Sequence, residues 1–247
     1  MKISFLILTW NRHKFLDKCL ETLIPAIDNT KDCEIIVMNN GSTDETSAVL
    51  DKYKHHPMLR IIHRRKNRGL KAYKRLFLYA KGDHMVVVDD DVLSFPRHLD
   101  TIFIDYMKSF PDFGFVGLNV VQNEFTNGAK PGPEHYTDVV MNDKVIQQGP
   151  TGGWCTCFRK QDFKKIRLKF LLADLSMKNG EDGFLSICFE QKLGLKSGII
   201  KDAVCFHASG PHYAKMYGHL EREIEKYASA ELDDFVKVYR EYESAES

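Results

Sequence analysis

The sequence has no apolar run long enough for a membrane helix, few cysteines and almost no excess of either charge. Each absence removes a class of protein. A membrane span needs about 20 consecutive apolar residues. The opening MKISFLIL meets polar TWNR too soon for a span or a signal-peptide core, so it reads as a strand. Six cysteines scattered over 247 residues make no disulfide framework, which suits a reducing, cytoplasmic setting. Only Cys155 and Cys157 are close, and one C-x-C pair is weak support for zinc. A net charge of +1 gives no global field to gather nucleic acid or lipid. No internal repeat, low-complexity tract or clear boundary divides the chain, so one domain over residues 1–247 is expected.

What is present is alternation. The apolar runs 3–8, 34–38, 59–63 and 84–88 have the length and β-branched content of strands buried on both faces. Between the first two, Phe15, Leu16, Cys19, Leu20, Leu23 and Ile24 recur at helical spacing. Ser42 and Glu45 read as a capping box opening a second helix, and Gly82 as the stop of a third. Strands alternating with helices predict a mostly parallel sheet flanked by helices, with ligands at the carboxyl ends of the strands. After residue 110 come a further strand, FGFVGLNV, a hairpin-bearing segment over 119–150 and a helix opened by Glu181 and Asp182. From Leu220 a regular apolar stripe predicts one C-terminal helix.

The run MVVVDDD places Asp89, Asp90 and Asp91 at the tip of the fourth strand. Adjacent carboxylates repel, so three together exceed what a solvated turn or helix cap needs. Hard oxygen ligands at a strand tip suit Mg²⁺ or Mn²⁺. Side chains alternate along an extended segment, so Asp89 and Asp91 share a side and Asp90 points elsewhere. The other strand ends carry TWNR (9–12), NNGSTD (39–44) and HRRKNRG (63–69).

In that order and spacing, residues 3–100 resemble the GT-A glycosyltransferases of the inverting, nucleotide-sugar-dependent family 2. The matching residues are Thr9-Trp10-Asn11-Arg12, Asn39-Asn40-Gly41-Ser42-Thr43-Asp44-Glu45-Thr46, Asn67-Arg68-Gly69, Asp89-Asp90-Asp91 and Pro96. The resemblance implies a Rossmann-like, mostly parallel sheet. Residues 1–110 would form the nucleotide-sugar half, 111–218 the acceptor side with its small hairpin region, and 219–247 a C-terminal helix. It implies transfer of a sugar from a UDP-sugar to a hydroxyl acceptor such as a glycan, with Mn²⁺ or Mg²⁺ as cofactor. Thr9 and Asn39 would flank the base, Asp90 the ribose hydroxyls, and Asp91 with Asp89 the metal. Asn11, Arg12, Asn40, Ser42 and Asn67 join them in the donor site, and His207, after the apolar AVCF, is the candidate third metal ligand, with His212 its nearest competitor. Position 39 is usually Asp in this family; an amide there still pairs with uracil but also tolerates other bases.

On the acceptor side, NGEDGFLSICFEQKLG resembles the family's E-D block, which makes Asp182 the candidate general base and Glu181 its supporting acid. Position 188 is Cys and 190 is Glu, so the block's arginine is absent. Gly152, Gly153 and Trp154 resemble the loop lining the acceptor pocket, and Trp154 reads equally as a core residue. The run Arg60–Arg75 holds eight Lys and Arg and no acid. It reads as a solvated face with Lys71 reaching the diphosphate, and without an aromatic platform it does not read as a nucleic-acid site. The acid-rich outer face of the C-terminal helix is unsuited to an anionic membrane, so its stripe should pack on the domain or on a second protomer in a homodimer. The enzyme would be free or rest on a membrane through a lipid-linked acceptor. The rival functions are a nucleotidyltransferase of similar fold, disfavoured because TWNRHK has no glycine-rich phosphate loop, and a non-catalytic nucleotide-sugar or carbohydrate-binding protein.

Overall fold

The computed structural model describes residues 2–126, 130–178 and 180–245. Four strands lead, β1 (Ile3–Thr9), β2 (Cys33–Asn39), β3 (Leu59–His63) and β4 (His84–Asp89). They are joined by α1 (His13–Ala26), α2 (Thr46–Tyr53) and α3 (Tyr73–Tyr79), the last preceded by a 3₁₀ turn at Gly69–Ala72. Then follow β5 (Val92–Ser94), α4 (Leu99–Ser109), β6 (Phe113–Val120), β7 (Thr137–Met141), β8 (Lys144–Gln148) and β9 (Cys155–Arg159). The chain continues through α5 (Lys160–Leu172), α6 (Glu181–Leu193), β10 (Lys196–His207), α7 (Pro211–Met216), α8 (Leu220–Ser229) and α9 (Asp233–Ala245).

The strands form one mixed sheet in the order β3-β2-β1-β4-β9-β6-β10-β8-β7, with β5 pairing to the end of β10. The first four are parallel, and β9 lies antiparallel between β4 and β6. Strand alternation explains the two helical layers. Phe5, Ile7, Ile35, Val37, Val86 and Val88 face one way and pack under α1, α2 and α4. Leu6, Ile36, Met38, Met85 and Val87 face the other and pack under α3, α5 and α6. The second layer is rich in phenylalanine: Phe77 lies stacked on Phe170 at 5.0 Å and edge-on to Phe163 at 5.4 Å. The turn of the β7–β8 hairpin is Asn142-Asp143, both with positive φ (49° and 61°), as a tight primed turn requires.

Three local expectations differ. The Ser42–Glu45 capping box does not form: the Ser42 hydroxyl accepts the Asn11 N–H, and Asp44 instead takes the Thr46 N–H at 3.0 Å. Gly82 does not end α3, which stops at Tyr79; a Cβ at Gly82 would lie 2.5 Å from the Ser4 nitrogen, so it serves close backbone approach. The C-terminal stripe is divided between α8 and α9 by a turn in which Glu231 has φ 54°. The second helix folds back on the first through Ile224, Tyr227, Val236 and Tyr239.

Candidate active site

Parallel pairing sets Thr9, Asn39 and His63 abreast, with Asp89 opposite Leu8 on the other side of β1, so four strand ends open on one edge of the sheet. The chain then turns at Asp90 and Asp91 into β5, whose Val92 pairs with His207 at the end of β10. The Ala208 N–H also donates to the Asp91 carbonyl at 2.9 Å. This pairing brings a histidine 116 residues downstream to the aspartates, with Nε2 3.1 Å from Asp91 Oδ1 and 3.7 Å from Asp89 Oδ2. One ligand atom from each of Asp89, Asp91 and His207 lies within 4.8 Å of the others.

Arg12, at the start of α1, is the counter-charge for this tip. Its guanidinium pairs with Asp91, lies 2.8 Å from Asp90 Oδ1, and places Nε 3.5 Å from Glu223 of α8. Burial opposes charge on Asp91, but Arg12 and His207 together hold its carboxyl well below the usual range. Asp89 has no such partner. Burial, then repulsion from Asp91, pushes it up to about 7 although His207 pulls the other way. Asp89 is thus left with only the more distant imidazole of His207 as a counter-charge. Two carboxylates and an imidazole form a donor set suited to Mn²⁺ or Mg²⁺, so these residues fit a divalent cation. Asp90 Oδ2 and His207 Nδ1 have no hydrogen-bond partner among the described residues.

The aspartates line a cleft of about 680 Å³. Thr9, Arg12, Asn40, Asn67, Glu181, Asp182 and His207 line it too. Asp182, in the first turn of α6, is oriented by two backbone donors: the Gly153 N–H reaches Oδ2 at 3.0 Å and the Gly183 N–H reaches Oδ1 at 2.7 Å. Glu181 is buried beside it, and burial, then Asp182 and Asp89, raises its carboxyl well above the ordinary value.

Other candidate residues support the loops around the cleft. Asn11 ties two loops together, its carbonyl accepting the Thr43 N–H at 2.7 Å. The Asn39 amide accepts the Ser42 N–H at 2.9 Å and donates to Ser47 at 3.3 Å. Asn40 donates to the Asn67 side chain at 2.8 Å and accepts the Arg68 N–H at 3.2 Å, strapping the second strand end to the third. Lys71 is exposed and lies 2.8 Å from Asp174. Trp154 is buried, donates its indole N–H to the Leu118 carbonyl at 2.9 Å and backs His207 with ring centres 6.4 Å apart. A Cβ at Gly152 would lie 2.5 Å from that indole.

The C-terminal helices supply a wall that sequence reasoning missed. Arg222, Glu223, Lys226, Tyr227 and Tyr239 line the cleft. Glu223, one of the acids of the outer face expected to meet solvent, is 3% exposed and sits among Arg12, Arg222 and Lys226. Burial opposes its charge, and those three cations hold its carboxyl far below the ordinary value. The Glu223–Lys226 spacing was visible, but that spacing is also the commonest one on a solvated face. Arg222 also donates to the Trp10 carbonyl at 3.0 Å and covers the Trp10 ring at 4.8 Å.

Comparison with known proteins gives this geometry a family. The solved mannosyltransferase PcManGT of Pyrobaculum calidifontis, in complex with GDP-Man and Mn²⁺, superposes with a TM-score of 0.64 at 17% identity, over 93% of this chain and 64% of that one. TarS of S. aureus in complex with UDP gives 0.65 at 16% identity, over 93% and 66%. The fold is thus GT-A. Among curated relatives, glycosyltransferase GlyG of Streptococcus pneumoniae serotype 4 is 25% identical over 190 residues, 72% of this chain and 60% of GlyG. Glycosyltransferase GlyA of the same organism is 22% identical over 199 residues, 75% of this chain and 27% of GlyA. The chain thus spans less than two thirds of the length of either relative. No helix among the described residues is long and apolar enough to cross a membrane. Residues 4–167 match the family described as Glycosyl transferase family 2, and the chain belongs to that family.

Proposed function

We propose that this glycosyltransferase moves a sugar, with inversion, from a UDP-sugar to a hydroxyl of a glycan acceptor, using Mn²⁺ or Mg²⁺. The observation that carries the reading is the convergence of Asp89, Asp91 and His207 on one cleft with the oriented carboxylate of Asp182. Asp89, Asp91 and His207 would hold the cation, which would supply positive charge against the departing diphosphate. Arg12 fixes Asp90 and Asp91 in place, leaving Asp90 Oδ2 to accept from a ribose hydroxyl. Arg222 and Lys226 bring further positive charge to the cleft wall. Asp182 takes the acceptor's proton as the acceptor oxygen bonds to the anomeric carbon and the bond from that carbon to the diphosphate oxygen breaks. UDP is favoured over other nucleotides by the UDP and UDP-GlcNAc complexes of TarS, while PcManGT was solved with GDP-Man. Asn39 has its amide engaged in its own turn and does not argue against uracil.

The test is release of free nucleotide from a panel of UDP-, GDP- and CDP-sugars with Mn²⁺, with Mg²⁺ and with EDTA. UDP-sugars should turn over fastest, only with metal, and Asp91→Ala should be inactive. Full activity in EDTA overturns the metal role, and preferential release of another nucleotide overturns the choice of base.

A further inference from the structure

Helix α5 presents an outer face that the transferase site does not use. Its inner residues Phe163, Ile166 and Phe170 pack into the phenylalanine-rich core. On the outside, Leu168 and Leu172 are 72% and 77% exposed, the two most exposed large apolar side chains among the described residues. They lie one turn apart at the middle of the face. At about 100° per residue, Lys164 and Lys165 fall on either side of them, and Arg167 and Lys169 mark the two edges. All four are exposed, and the face carries no exposed acid. The one acid of the helix, Asp162, is buried and paired with Arg159 and Lys165. On the neighbouring segment Lys74 donates to the Ala173 carbonyl, while Lys71 pairs with the exposed Asp174 and adds no net charge. Beyond the helix, Leu175, Ser176 and Met177 line the cleft.

We infer that this face docks on a membrane surface bearing anionic lipid headgroups, with Leu168 and Leu172 entering the interface and the flanking cations reaching the headgroups. Charge and shape select this occupant. Leucines bracketed by long basic side chains match an interfacial helix, in which the apolar centre is buried and the cations reach outward. A second copy of the chain would set like charges against each other, and two leucines fall far short of the roughly 800 Å² per partner of a stable interface. A nucleic acid would leave both leucines in water. Docked this way, the cleft opens close to the lipid surface, where a lipid-linked acceptor would be presented.

The experiment is co-sedimentation of the full chain with phosphatidylcholine vesicles and with vesicles of phosphatidylcholine and phosphatidylglycerol in equal parts, at low and high salt. No sugar nucleotide is present, so the result is independent of the donor and metal assignments. Binding to the anionic vesicles alone, weakened by salt, is expected. Each basic residue near such a surface contributes roughly fivefold in partitioning, so the combined Lys164→Ala, Arg167→Ala and Lys169→Ala variant should bind about a hundredfold more weakly. Leu168→Ser with Leu172→Ser should cost roughly tenfold or more with every charge retained. These positions are exposed, and an unchanged thermal melt confirms that each variant folds. The inference is overturned if the wild type ignores anionic vesicles or binds neutral ones equally. It is also overturned if the leucine variant binds as tightly as the wild type, or if Leu168→Ser dissociates a concentration-dependent dimer in sedimentation.

Discussion

His219, between α7 and α8, should make the fold acid-sensitive in a way that one substitution removes. Its ring is 4% exposed, lies edge-on to His13 at 5.5 Å and tilted over Phe15 at 5.1 Å, and its Nε2 has no hydrogen-bond partner among the described residues. Burial, then the charges of Arg12, His13 and Arg222, lowers it to about 4 from an ordinary 6.5, with Asp44 pulling weakly the other way. A histidine depressed in the folded state contributes stability that is fully present above its unfolded pKa. That stability is lost as pH falls from 6.5 toward 4. At pH 5 the loss is about 2 kcal/mol, which shifts the melting temperature by roughly 4–8 °C in a chain of this size. Asp89 is raised, so in the same window it favours the folded state at lower pH and masks the effect in the wild type, whereas the stabilisation from the raised His207 is complete by pH 6.5 and constant below it. The informative quantity is therefore the difference between wild type and His219→Phe, which keeps an aromatic ring and removes the titrating nitrogen. Urea unfolding of both at pH 8, 7, 6 and 5 should give parallel behaviour down to pH 7 and a growing advantage for the variant below it. Equal pH slopes for the two proteins would refute the reasoning.

Asp182→Asn should leave donor binding intact, measured calorimetrically, while transfer falls by about 10²–10⁴, because only proton removal is lost; failure of donor binding would give Asp182 another role. Arg12→Met leaves Asp90, Asp91 and Glu223 without their shared cation, and a thermal melt should show destabilisation on the order of 3–5 kcal/mol, partly recovered by Mn²⁺. An unchanged melting temperature would show that the carboxylates are compensated elsewhere. Gly41→Ala should cost about 2 kcal/mol or more in urea unfolding, since Gly41 has φ 81° and a Cβ there would lie 2.6 Å from the backbone of Lys66 and Asn67.

The parallel core was legible because β1, β2 and β4 are buried on both faces, leaving uninterrupted apolar runs that gain a residue or two; the run 59–63 matches β3 end to end, but this edge strand is only half-buried, not buried on both faces as expected. The alternation of Asp89, Asp90 and Asp91 was legible too, since an extended tip forces the middle residue aside. Local polar chemistry was less so. Ser42 has the spacing of a helix cap, yet its hydroxyl serves Asn11, a partner 31 residues away that no local pattern reveals. The C-terminal stripe keeps helical spacing across the Glu231 turn, so periodicity alone could not show that the chain doubles back there. Glu223 was hidden for a different reason. Its burial depends on Arg12 reaching across from α1, and pairing between distant charges leaves no trace in either segment.

Segments 212 residues apart are stitched together over the cleft, Arg222 to the Trp10 carbonyl and Glu223 to Arg12. Synthesis runs from the amino terminus, and early segments begin to organise before later ones exist. A nascent chain that has reached residue 210 already holds every strand of the sheet and the Asp89, Asp91 and His207 trio. It still lacks the wall built by α8 and α9, and Arg12 still lacks its third carboxylate. That side of the cleft is thus closed only once residues 220–245 have been made, and until then the emerging chain carries an open, unfinished pocket.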